Sequence, residues 1–139
     1  MLQGRNKNKR AIAAIEAALL FPLLVFLLMG LLEYGWMFVK KQECNHAARQ
    51  AARVGCVEGA TNADVIAEVD RLMTSAGMGS SGYTLTIAPP DVATALAGES
   101  ITVTVTVPYS AIDLTGAPFL PVPGSLNGRT SMAKEGYAP

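Results

Sequence analysis

From Ala17 to Leu32 the chain runs without a single charged side chain. The flanks extend this block to Ala11–Phe38, 28 residues interrupted only by Glu16 and Glu33. As a helix it would reach about 42 Å at ~1.5 Å per residue, and about 20 apolar residues suffice to cross the hydrocarbon core. The block therefore predicts one transmembrane helix. Pro22 lies inside it, which a membrane helix tolerates because neighbouring groups re-satisfy the freed carbonyl. Tyr34, Trp36 and Phe38 cluster at its far end as an interfacial aromatic belt would, and Lys40 and Lys41 follow with stems long enough to snorkel.

The rest of the 139 residues leaves room for one small domain. A domain of that size buries a modest fraction of its surface, so its stability should draw on the long helix or on partner subunits. Eleven basic and eleven acidic residues balance to zero, and no strongly basic domain points to nucleic acid. The basic residues at the start, Arg5, Lys7, Lys9 and Arg10, are matched by Lys40, Lys41, Arg49 and Arg53 after the span. The positive-inside rule therefore does not fix the orientation. A short, unstructured tail over 1–10 favours leaving that end in the cytoplasm, with the C-terminal part outside the cytoplasmic (inner) membrane. A cleaved secretory signal is the alternative reading. The apolar run is longer than a usual signal core, and acids interrupt both its ends.

Glu16 and Glu33 are costly at membrane depth and so stand as functional candidates. Glu33, near the boundary, has snorkelling as its simplest account. Glu16 follows Ala11, Ile12, Ala13, Ala14 and Ile15, all apolar. Seventeen residues, about 25 Å of helix, separate the two acids, so they cannot form a carboxylate pair within one chain.

The string Arg10-Ala11-Ile12-Ala13-Ala14-Ile15-Glu16-Ala17-Ala18-Leu19-Leu20-Phe21-Pro22, followed by Gly30-Leu31-Leu32-Glu33-Tyr34-Gly35, resembles the N-terminus of TadE-like proteins. These are pseudopilins or minor pilins of the tight adherence (Tad) pilus machinery. The resemblance covers about residues 8–55. It implies a pilin-like, non-enzymatic subunit without cofactor. Its partners would be a prepilin-type peptidase, other pilin-like subunits, the inner-membrane assembly platform and the bilayer. It further implies a cut between Ala11 and Ile12, which makes Glu16 the fifth residue of the mature chain. Where the family usually carries Gly before the cut, this chain has Ala11. The cut would leave seven basic residues against eleven acidic ones. Glu16 would then pair with the freed α-amino group of a neighbouring subunit, since a carboxylate in hydrocarbon favours a nearby cation.

Residues 39–59 predict a helical stalk. Ala48, Ala52, Gly55 and Gly59 recur at helical spacing as a stripe of small residues. The sheet or the second helix is expected to dock on the Ala48, Ala52 and Gly55 face. Arg49 and Arg53 lie beside it, read as solvated charges or as a basic partner contact. Cys44, His46 and Cys56 match no zinc spacing. If the helix persists, the two cysteines lie about 18 Å apart and cannot bridge within one chain.

Residues 60–139 predict a small α+β domain. Thr61 and Asp64 form a capping box ahead of Val65, Ile66, Val69, Leu72 and Met73. Residues 83–87, 101–107 and 126–133 read as three strands of a mostly antiparallel sheet, with Ile101, Val103, Val105 and Val107 inward and the intervening threonines outward. Three prolines and two glycines make Asp113–Gly124 a loop whose Phe119 and Leu120 pack back on the domain. No phosphate loop or Gly-x-Ser-x-Gly is present, so an enzyme is not expected. Two other readings stand beside the Tad-type subunit: a generic membrane-anchored envelope binding domain, and a domain released by ordinary signal peptidase.

Overall fold

The computed structural model describes residues 4–116 and 120–136, with side chains from Ala11 onward. The side chains of Arg5, Lys7, Lys9 and Arg10, and the expected packing of Phe119, lie outside the described residues. Helix α1 spans Gly4–Cys56 and α2 spans Asn62–Ser75; β1 is Thr84–Ala88, β2 Ser100–Pro108 and β3 Ser125–Ala133, with a 3-10 turn at Tyr109–Ala111. The chain is α+β, as its pattern predicts, and divides into a unit ending at Gly35 and a second unit from Trp36 onward. One expectation fails at the start: the backbone is already helical at Gly4, so 4–10 is not an unstructured tail.

In the second unit the three strands form one antiparallel sheet in the order β1–β2–β3. Alternation of branched and hydroxyl residues builds β2: Ile101, Val103, Val105 and Val107 are buried, and the threonines between them are not. Leu85 and Ile87 of β1 sit opposite Val105 and Val103, and Leu126 and Gly128 of β3 opposite Val107 and Val105. These residues share one face because side chains alternate along a strand.

Helix α2 starts as its sequence dictates. The Thr61 hydroxyl accepts from the Asp64 amide, and the Asp64 carboxylate accepts from the Thr61 amide at 2.9 Å. Hydrogen bonds from the Thr61 hydroxyl and amide hold the Asp64 carboxyl below its usual value. The buried stripe of α2 is Val65, Val69 and Met73, one row of i, i+4 neighbours. Ile66 does not join it. It lies about 100° round the helix from Val65 and is 45% exposed, at an open groove shared with Tyr83, Leu85 and Ile87.

The core closes on the last four turns of α1. Cys44, Ala47, Ala48, Ala51, Ala52 and Cys56 are buried in one cluster with Val65, Val69, Val92 and the β2 branched residues. Small residues on this face let other elements approach closely. A Cβ placed on Gly55 would lie 3.1 Å from Val65 Cγ2 and 3.4 Å from Ile101 Cγ2. Gly59 takes no part in this face; the helix has ended, and Gly59 turns the chain with φ +79°, a conformation glycine adopts without a Cβ clash.

Candidate functional site

Ala11 through Leu28 are exposed along α1. Such a length of apolar helix surface is not what water tolerates, and among the described residues α1 is the one helix long and apolar enough to cross a membrane. Ile12, Ile15, Glu16 and Leu19 line one shallow, largely apolar groove on it. Their spacing of three and four residues puts them on one helix face, so the Glu16 carboxylate stands among aliphatic side chains one turn beyond Ile12. Ala11 and Ile12 are themselves helical and exposed. Glu33 differs from the snorkelling expected of it, because only 2% of its surface is exposed.

The aromatic and basic residues after the apolar run are also engaged otherwise than expected. The Trp36 indole Nε1 donates to the carbonyl of Ile112 at 2.7 Å. The Lys40 ammonium donates to the carbonyl of Ala76 at 2.7 Å and lies 4.6 Å from the centre of the Trp36 ring, within cation–π range. Lys41 Nζ donates to the side-chain and backbone oxygens of Asn127. Both lysines thus clasp the folded domain instead of reaching for headgroups. The signature that suggested snorkelling, two lysines after an apolar run, is identical in both cases.

Two further residues packed against α1 escape local pattern reading. Gly128 of β3 crosses α1 so closely that an added Cβ would fall 2.1 Å from the Cys44 carbonyl oxygen and 2.6 Å from the Asn45 nitrogen. Lys134, just past β3, is buried; its Nζ donates to Gly55 O at 3.3 Å and Val92 O at 2.9 Å, while the Glu135 amide donates to Cys56 O at 2.7 Å. The last carbonyls of a helix have no partner within it and carry its negative dipole end. Here a distant cation and amide supply what the helix lacks.

Arg49 and Arg53 remain exposed. Cys44 and Cys56 are both free and buried, and burial raises their thiols above the usual value. Among the described residues no three His, Cys, Asp or Glu side chains gather as metal ligands would.

Residues 11–53 match the family model described as TadE-like protein. The match ends three residues before α1 does, so it covers the apolar helix and most of the stalk. That stretch, about a third of the chain's length, is similar to TadE-like proteins. No curated protein and no solved structure matches the chain.

Proposed function

We infer that this protein is a membrane-anchored, pilin-like subunit that contributes to the assembly or structure of a Tad-type surface pilus. The observation that carries the reading is the TadE-like match over 11–53, falling on a helix whose apolar surface is exposed from Ala11 onward. In this reading α1 holds the chain in the cytoplasmic membrane with its N-terminus inside, and the α+β domain stands outside. A prepilin-type peptidase cuts between Ala11 and Ile12. Because both residues are helical, the cut requires the first turns to unwind locally. Glu16 then pairs with the new amino terminus of a neighbouring subunit on the assembly platform. No step asks the chain to perform catalysis.

Deleting the chain from its native cells tests the role. The expected result is loss or strong reduction of surface pili, restored when the full chain is supplied in trans. Normal pili in the deletion strain, at unchanged length and number, would contradict it.

A further inference from the structure

We propose that copies of this chain dock side by side, the open β1 edge of one receiving the β3 edge and the adjoining α1 flank of the next. The inference needs nothing from the pilus role.

The hydrogen-bond pattern fixes which backbone groups are free. At one end of the β2–β3 ladder the Lys134 amide donates to Glu99 O, and at the other the Tyr109 amide donates to Gly124 O. Bonded pairs in an antiparallel ladder recur at every second residue. Odd-numbered residues of β2 therefore bond β3, and even-numbered ones bond β1. Thr84 stands opposite Thr106 and Thr86 opposite Thr104, so the N–H and C=O of Leu85 and Ile87 point off the open edge of β1. By the same count Asn127, Arg129, Ser131 and Ala133 point off the far side of β3. Lys41 Nζ reaches the backbone oxygen of Asn127, which agrees with that direction. No backbone bond of the described residues uses the edge from Arg129 onward. Open edges of this kind are templates for a further strand.

The two edges match in level. Thr86 lies opposite Thr104, and Thr104 opposite Arg129. A second copy in the same orientation, set beside the first without a shift, therefore brings its Arg129 next to Thr86 with the strands parallel. The Arg129 amide then donates to Leu85 O and the Ile87 amide to Arg129 O, the slanted bonding of a parallel pair.

What β1 leaves uncovered also fits what α1 presents. Ile66, 45% exposed, shares its groove with the half-buried Leu85 and Ile87, and Asp70 is the one charged residue lining it. At about 100° per residue, Lys41, Asn45, Arg49 and Arg53 lie about 20°, 60°, 100° and 140° round α1 from Ala48. Lys41 bonds Asn127, and Asn45 lies against Gly128. This side of α1 therefore overhangs β3, with Arg49 and Arg53 just beyond the strand. Both are exposed, and neither has an ion-pair partner among the described residues. Along the stalk Lys40 meets Ala76, and Gly55 meets Val65. Asp70 lies between these contacts, at the level of Ala47 to Arg49. In the unshifted pair the Arg49 guanidinium of one copy meets the Asp70 carboxylate of the other, and its stem covers Ile66. The contact is head-to-tail, so each row keeps one free β1 and one free β3 and extends by the same contact.

The test uses full chains co-reconstituted in phosphatidylethanolamine/phosphatidylglycerol vesicles, one carrying Thr86→Cys and the other Arg129→Cys. Between neighbouring copies these positions are about 4.8 Å apart, within disulfide reach. Within one chain β2 lies between them and roughly doubles the separation, beyond that reach. Cys44 and Cys56 are buried, so the unsubstituted chain should not link under native conditions. Mild oxidation of the mixture should give a disulfide dimer joining the two kinds of chain, identified by its linked peptide. A chain carrying both substitutions should give a ladder of higher species. Adding Asp70→Arg to the Thr86→Cys chain should slow the linkage roughly tenfold or more, and adding Arg49→Asp to the Arg129→Cys chain should restore it. Mixed dimers no more frequent than links formed by either variant alone would overturn the proposal. So would preferential links between two Thr86→Cys chains, the mark of a two-fold β1 pairing. An unchanged rate with Asp70→Arg would contradict the docking of α1 over the groove.

Discussion

Gly128→Ala should lower the melting temperature of the full chain by roughly 12–24 °C. The added methyl carbon would fall 2.1 Å from Cys44 O, 2.3 Å from Cys44 C and 2.6 Å from Asn45 N. All three are backbone atoms of a regular helix, so no rotamer change relieves the overlap; β3 and α1 must separate. Overpacking in a core costs about 1–3 kcal/mol even where side chains can shift, and here about 3 kcal/mol or more is expected. In a domain of this size each kcal/mol moves the midpoint by roughly 4–8 °C. Separation would also strain the hydrogen bond from Lys41 to Asn127 next door. Gly124→Ala is the control, since nothing lies within 4 Å of its Cβ position and its φ is unremarkable. Melting curves in detergent for both variants decide the matter. A Gly128→Ala midpoint within a few degrees of the Gly124→Ala one would mean that the helix and strand do not cross this closely.

Glu16→Ala should leave the protein in the membrane and abolish most pilus output. An ionised side chain within an apolar span costs about 2.5–3.5 kcal/mol on insertion scales, so removing it does not impair insertion. Assembly is where the carboxylate earns its place, paired with a freed α-amino group. A charge-assisted hydrogen bond of that kind contributes about 1.5–3 kcal/mol, or roughly 10- to 150-fold in each association step. A fibre repeats that step at every subunit, so the loss compounds. Glu16→Gln keeps the size and an acceptor but removes the charge, and should fall near Glu16→Ala if pairing with an ammonium is what matters. Counting pili and measuring membrane-bound subunit in the same cells separates the two effects. Wild-type piliation in Glu16→Ala would end the pairing role, and loss of the protein from the membrane would show that Glu16 acts earlier.

Much of the architecture was legible in the sequence because its signals are local. The uncharged block after Glu16 gives the apolar helix, the Val/Thr alternation of 101–107 gives the central strand, and Thr61 with Asp64 gives the start of α2. The small residues Ala48, Ala52 and Gly55 mark a helix face without naming what fills it. What escaped was non-local. Trp36 meets Ile112 across 76 residues, Lys41 meets Asn127 across 86, and Lys134 meets Gly55 across 79. Nothing near any of these residues announces its partner. Gly128 carries no signal of its own within the 126–133 strand, since its reason for being glycine is the helix backbone lying against it. Ile66 belongs by spacing to the apolar set of α2, yet the buried row is Val65, Val69 and Met73, with Leu72 packed against it, and Ile66 is left exposed. Lys40 and Lys41 were assigned to headgroups on a signature that domain-clasping lysines share.

The central claim, that this is a processed pilin-like subunit, is tested most directly by the N-terminal residue of the protein isolated from its native cells, read by mass spectrometry of the intact chain and its first peptide. The account predicts a chain beginning at Ile12, four residues before Glu16. A chain still carrying Arg5, Lys7, Lys9 and Arg10 would contradict it, as would one beginning beyond the apolar run.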